Sequence, residues 1–222
     1  MTSSLQAVLF DMDGTLIDSE HYWMEAENDL AKISGASWTE QDGLNLVGMS
    51  LYDSSEILKE KLRLSLDNDE IISRLTDTVV KRLGNTIPWR PGALELLTNL
   101  RERGIKTALV TMSMRRNALA VSQNVGFDAF DVVIAGDDVT HGKPHPEPYL
   151  KAADALGVDI THCVAFEDSL TGLTSAERSG AVAIGVPNVV EIPAKPDRII
   201  WPTLVGITPE DLIRLVTEKR TA

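Results

Sequence analysis

Two aspartates separated by one residue, Asp11 and Asp13 in "DMDGT", follow directly on the apolar run "AVLF". A second acidic pair, Glu167 and Asp168 in "AFEDS", follows the apolar "CVAF" in the same way. Thr111 and Ser113 in "VTMS" close a third apolar run, "KTALV", and Asp137 and Asp138 close a fourth, "VVIAG". If these ends converge, so many carboxylates cannot all stay ionised in one cleft without a compensating cation. Their hard oxygens suit Mg²⁺, which binds through a few carboxylates and keeps positions for water and a phosphate oxygen. Lys143, in "GKPHPEPY", falls between "VVIAG" and "CVAF" in the chain and can reach the same cleft. Taken singly, "DxDG" reads equally as a turn, the acids before "SLTG" as a helix cap and the lysine as a surface residue. The joint pattern points to chemistry.

The elements that must bring these residues together read as strands and helices in alternation. The apolar runs are short and bounded by turn formers, which favours strands, and "AVAIGV" adds one more. Between them, "PGALELLTNLRERG", "EPYLKAADALG" and "SLTGLTSAERSG" carry helical periodicity, with Pro91 near one start, Ser169 as a cap and Gly104 and Gly180 as stops. Such alternation implies a parallel sheet covered on both faces, a Rossmann-like α/β core whose ligand site lies beyond the carboxyl ends of the strands. "TPEDLIRLVTEKR" reads as a closing amphipathic helix.

One interval breaks the rhythm. Residues 17–89 hold no convincing strand but three helical stretches, "SEHYWMEAENDLAKISG", "SLYDSSEILKEKLRL" and "DNDEIISRLTDTVVKRLG". The expected organisation is therefore a catalytic core formed by 1–16 and 90–222, with an all-helical cap domain of 17–89 inserted after the first strand. Asp18 and Ser19 are expected to start the first cap helix.

Composition narrows the setting. A formal charge of −12 argues against nucleic acid or an acidic membrane as partner, because neither surface would attract the chain. The single cysteine, Cys163, allows no internal disulfide and suits a core position in a reducing compartment. No apolar run has membrane-spanning length. A soluble cytoplasmic protein acting on a small molecule, as monomer or weak homodimer, is the expectation.

"DMDGT", "VTMS", "GKPHPEPY" and "FEDS" resemble, in order and spacing, the four motifs of the haloacid dehalogenase superfamily of phosphohydrolases, in the branch with a helical cap after the first strand. The resemblance spans nearly the whole chain. It implies that Asp11 is the nucleophile and Asp13 the general acid and base, with Thr111, the Met112 amide and Lys143 holding the phosphoryl group. It also implies a Mg²⁺ site formed by Asp11, the backbone carbonyl of Asp13, Asp168 and Glu167. Asp13 argues against dehalogenation, since the dehalogenases of the superfamily lack this second acid.

Within the branch, Leu51 stands where phosphonoacetaldehyde hydrolases resemble one another in carrying a lysine and β-phosphoglucomutases an arginine. Trp23 stands where the mutases carry a histidine. Both departures favour a phosphatase similar to those for sugar and hexitol phosphates over a β-phosphoglucomutase-type transferase, which is the alternative. A non-catalytic metabolite-binding regulator is a further alternative, against which the complete set of motif residues argues. Candidate substrate contacts are Glu20, Trp23, Gly48, Met49 and Ser50 from the cap, with Ser113 and Arg115 from the core. Asp137 and Asp138 are expected to support Lys143 and its loop, and His21 to face solvent.

Overall fold

The computed structural model describes residues 5–84 and 86–221. Its sheet has six strands, β1 (Ala7–Phe10), β2 (Lys106–Val110), β3 (Val132–Ile134), β4 (Cys163–Glu167), β5 (Val182–Gly185) and β6 (Ile199–Ile200). They pair in the order β3-β2-β1-β4-β5-β6, and every pairing is parallel. The chain builds outward from β1 through β2 to β3, then crosses to the other side of β1 to start β4. That reversal opens a crevice at the carboxyl ends of β1, β2 and β4, the usual ligand position in a doubly wound sheet.

Alternate residues of each strand point to opposite faces, and both faces are buried. Val8, Phe10, Val164 and Phe166 pack with Leu96, Leu97 and Leu100 of α5 (Ala93–Glu102) and with Leu212 and Val216 of α9 (Pro209–Thr221). Ala7, Leu9, Ala165 and Cys163 pack with Tyr149, Ala152 and Leu156 of α7 (Glu147–Leu156) and with Ala176 of α8 (Leu170–Ser179). Helix α6 (Arg115–Ser122) adds Ala118 and Val121 to the first face. Cys163 is buried, as expected of a small apolar side chain.

Between β1 and α5 lies the helical insertion, made of α1 (Glu20–Ser34), α2 (Glu40–Leu44), α3 (Leu51–Leu62) and α4 (Asn68–Leu83). Trp23, Ala26 and Leu30 form the buried stripe of α1, and Ile71, Leu75 and Val79 that of α4. Each spacing of three or four residues keeps one face apolar. Asp67 starts α4 with a capping box, its side chain accepting from the Glu70 amide at 2.8 Å while Glu70 accepts from the Asp67 amide at 3.0 Å. Two elements were not anticipated from the sequence, α2 and β6. Among the described residues no helix is long and apolar enough to cross a membrane.

The two crossings between insertion and core run side by side. The Asp18 amide donates to the Pro88 carbonyl at 2.8 Å, and the Arg90 amide to the Leu16 carbonyl at 2.8 Å. The Arg90 guanidinium, half-buried beneath them, donates to the carbonyl of Gly14 and to those of Val186 and Pro187, the latter two at 3.0 Å. One side chain thus ties the return crossing to the loop after β1 and to the end of β5.

Phe10 and Phe166 stand opposite each other in register, their rings stacked 5.4 Å apart and 9° from parallel. Each immediately precedes an acidic residue, Asp11 or Glu167, so the stacked pair fixes the relative height of the two carboxylates. Phe166→Ala is expected to cost about 3–5 kcal/mol through the cavity it leaves. A fall in the urea midpoint at unchanged m-value would report it.

Candidate active site

The loop after β1 turns sharply. The Leu16 and Ile17 amides both donate to the Met12 carbonyl, at 3.0 and 3.1 Å, and the Gly14 amide donates to the Ile17 carbonyl at 2.8 Å. Gly14 has φ +75, and a Cβ there would lie 2.0 Å from Asp168 Oδ2. Only glycine meets both demands. The turn leaves Asp11 at the floor of the crevice and Asp13 at its wall.

Lys143 is the centre of the floor. It is 3% exposed, and its ammonium donates to Asp11 Oδ1 at 2.7 Å and to the Val110 carbonyl at 2.9 Å, and pairs with Glu167 Oε1 at 2.8 Å. Burial alone would lower its pKa, but Asp11 and Glu167 outweigh that and hold the ammonium above its usual value. The second oxygen of Asp11 accepts from Thr15 at 2.8 Å. Glu167 also accepts from the buried Tyr149 hydroxyl, and it is pressed by Gly172, where a Cβ would meet Glu167 Oε2 at 1.9 Å.

Ligand oxygens of Asp11, Glu167 and Asp168 lie within 4.8 Å of one another. One ammonium cannot neutralise three buried carboxylates. Burial raises all three pKa values, Glu167 to about 7, and the partial relief from Lys143 does not reverse any of them. Asp168 Oδ2 is buried with no hydrogen-bond partner, a costly arrangement for a carboxylate oxygen. An orphaned hard oxygen beside two more fits a divalent cation of the Mg²⁺ type, for which Asp11, Asp168 and Glu167 could supply ligands.

Asp13 is held separately. Its Oδ1 accepts from Ser19 at 2.6 Å and from the Trp23 indole at 2.9 Å, and its Oδ2 from Ser113 at 2.7 Å, with Thr111 more distant at 3.4 Å. Two of these donors belong to the insertion and two to the end of β2. Ser19 therefore does not cap α1 with its side chain, as its position suggested, because its hydroxyl is committed to Asp13. Trp23 is buried in the insertion and faces Asp13 at the same time.

The remaining expected residues divide. Glu20, Gly48, Met49, Thr111, Met112 and Ser113 line the cavity with the acids and Lys143, whereas Ser50 and Arg115 do not. Ser50 caps α3 and bonds Asp53 at 2.6 Å. Arg115 is drawn away by Asp138 and donates to the Val133 carbonyl at 3.1 Å. Asp137 accepts from the Arg115 amide at 2.8 Å and Asp138 from the Ala135 amide at 2.8 Å. Both acids hold the start of α6 and its loop; neither bonds Lys143, contrary to expectation. Ser169 does cap α8, accepting from the Gly172 amide at 3.1 Å. His21 is exposed, as expected.

The insertion is seated on the core. Gly48, at φ +77, comes so near that a Cβ would lie 2.2 Å from Ser169 Oγ. Gly48→Ala is therefore expected to prop the insertion away from the crevice, lowering kcat/KM roughly ten- to hundredfold. The accompanying loss of stability should include the left-handed strain of about 1–2 kcal/mol and the loosened contact with Ser169. Kinetics beside urea unfolding separates the two.

Glu27 lines the upper wall of the same cavity, accepting from Trp38 Nε1 at 3.1 Å. Burial pushes its carboxyl up from 4.5 to about 7, the Trp38 bond offsetting part of the rise. Because the folded-state value is raised, the stability linked to its protonation is complete below pH 4.5 and is lost as pH rises through 7. At 1.36 kcal/mol per unit the loss approaches roughly 3 kcal/mol. Glu27→Gln should thus stabilise the protein by up to about that amount at pH 8 and far less at pH 5, as urea unfolding at the two pH values would measure.

Residues 5–180 match the family model described as haloacid dehalogenase-like hydrolase. The chain is 32% identical over 177 residues to "Phosphorylated carbohydrates phosphatase" of Thermotoga maritima, covering 79% of this chain and 82% of that protein. It is 29% identical over 184 residues to "Hexitol phosphatase B" of Escherichia coli K12, covering 82% and 83%. Among solved structures, CbbY from Rhodobacter sphaeroides in complex with xylulose-(1,5)bisphosphate is similar, with a TM-score of 0.79 and 29% identity, covering 91% of this chain and 96% of that one. A β-phosphoglucomutase from Clostridium difficile shares the fold, with a TM-score of 0.85 at 22% identity over 98% and 100% of the two chains.

Proposed function

From the premise that this chain belongs to the haloacid dehalogenase-like hydrolases and is a phosphoric monoester hydrolase, we propose that it is a Mg²⁺-dependent phosphatase of sugar or polyol phosphates, working through an aspartyl-phosphate on Asp11. The observation that carries this reading is the meeting of Asp11, Lys143, Glu167 and Asp168 on one buried floor, with one oxygen left unpartnered. The names of the two phosphatase relatives support the sugar and polyol class.

In this reading the Asp11 carboxylate attacks phosphorus in line, forming a new O–P bond while the bond to the substrate's leaving oxygen breaks. Asp13 gives that oxygen its proton, and the neutral alcohol departs. Asp13 then takes a proton from a water, which attacks phosphorus and releases phosphate, restoring Asp11. Lys143 offsets negative charge on the reacting group from below, and Thr111 and the Met112 amide hold its oxygens. A Mg²⁺ held by Asp11, the Asp13 carbonyl, Asp168 and Glu167 would supply positive charge against the phosphoryl oxygens. Tyr149 and Gly172 are positioning residues, since they fix Glu167.

Hydrolysis is favoured over transfer by the cavity wall, where Leu51 and Trp23 offer no cation to hold a phosphorylated product for a second transfer. The test is phosphate release from a panel of hexose, pentose and polyol phosphates, with Mg²⁺ and after EDTA, by wild type and Asp11→Asn. Release should depend on the metal and fall roughly a thousandfold or more in the variant. Conversion of β-glucose 1-phosphate to glucose 6-phosphate without release would establish the transferase instead.

A further inference from the structure

We propose that the cavity selects phosphate monoesters whose leaving group carries hydroxyls and no second anion, and that Glu20 enforces the selection. The inference rests on the phosphatase reading above and narrows it. Six carboxyl groups line the cavity, those of Asp11, Asp13, Glu20, Glu27, Glu167 and Asp168, against one ammonium, that of Lys143. No other basic side chain is among the described residues that line it.

Lys143 has no donor to spare. An ammonium has three N–H groups, and these face Asp11, Glu167 and the Val110 carbonyl at 2.7, 2.8 and 2.9 Å. A second phosphate or a carboxylate on the substrate would find no cation, and would meet the acids of α1. The positive charge that a phosphoryl group requires is concentrated on the floor, whereas the wall is acidic and apolar.

Glu20 is the acid of that wall with unmet capacity. It sits in the first turn of α1, is 6% exposed, and its carboxyl has no hydrogen-bond or ion-pair partner among the described residues. Asp13 beside it already accepts from Ser19, Trp23 and Ser113, and Glu27, two turns further along the same face, accepts from Trp38. The Glu20 carboxyl faces the cavity, and burial together with the Asp13 and Asp11 carboxylates holds it well above its usual pKa. A ligand hydroxyl can bond to it, whereas a second ligand anion adds negative charge to a wall that has no cation to offer. Trp23, Met24, Leu46 and Leu51 complete an apolar surround suited to the carbon chain.

Sorbitol 6-phosphate and 6-phosphogluconate test this directly, because they share a carbon skeleton and differ in a terminal hydroxymethyl against a carboxylate. Wild type should favour sorbitol 6-phosphate by about a hundredfold or more in kcat/KM, the scale of a charge left unpaired in a closed site. In Glu20→Gln, which keeps the side chain's size, the preference should shrink about tenfold, through a raised KM for sorbitol 6-phosphate more than through kcat. Equal turnover of the two esters by wild type would overturn the proposal, as would an undiminished preference in a folded Glu20→Gln. Hydrolysis of p-nitrophenyl phosphate with neither sugar ester turned over would also overturn it while leaving the phosphatase reading standing. No release from any of the three would instead sink that reading.

Discussion

A single buried ammonium among three buried carboxyls organises this molecule. Lys143 lies far from Asp11 and nearer to Glu167 in the chain; the sheet sets β1 beside β4 and so Asp11 beside Glu167, and Lys143 reaches both from the loop between β3 and α7. The ion pairs at 2.7 and 2.8 Å are formed where little solvent is present to replace them. Such pairs contribute little net stability, since desolvating the charges offsets their attraction. Their value lies in placement. A surplus of carboxylate over ammonium leaves the floor poised for one more cation, and the stability cost of that surplus falls on the stacked phenylalanines and the aliphatic faces of the sheet.

The wall of the crevice is built differently from the floor. Asp13 receives Ser19 and Trp23 from the insertion and Ser113 from the core, so the orientation of one carboxylate depends on two bodies being seated together. Gly48 permits that seating by presenting bare backbone to Ser169. The floor needs no insertion to be complete. Geometry therefore assigns charge to the core and the orientation of Asp13 to the contact between the two.

The strand ends were legible because a buried parallel strand announces itself as a short apolar run, and the residue after it has one place to go. Asp11, Thr111, Glu167 and Asp168 were found by that rule, and Lys143 by its place between two such runs together with the motif that carries the family resemblance. What escaped depended on contacts between distant residues. Tyr149 reads as a core aromatic of α7, and only the fold aims its hydroxyl at Glu167. Ser19 reads as a cap, and only the turn of "DMDGT" makes Asp13 its better partner. Arg115 and Ser50 stand near the crevice in sequence, yet Asp138 and Asp53 capture their side chains. Strand β6 has two residues, its apolar "IIW" too short to declare a strand, and α2, with five residues and a glycine, is too short for periodicity.

Arg90 gives the crossing a mechanical meaning. Its guanidinium bears on the carbonyls of Gly14, Val186 and Pro187 while its own amide holds Leu16. Any swing of the helices about the paired crossings turns on a bearing whose other side is the loop that carries both aspartates. The crossings and the acidic floor are thus joined through one side chain, so any displacement of the insertion would reach Gly14 with almost no intervening linkage.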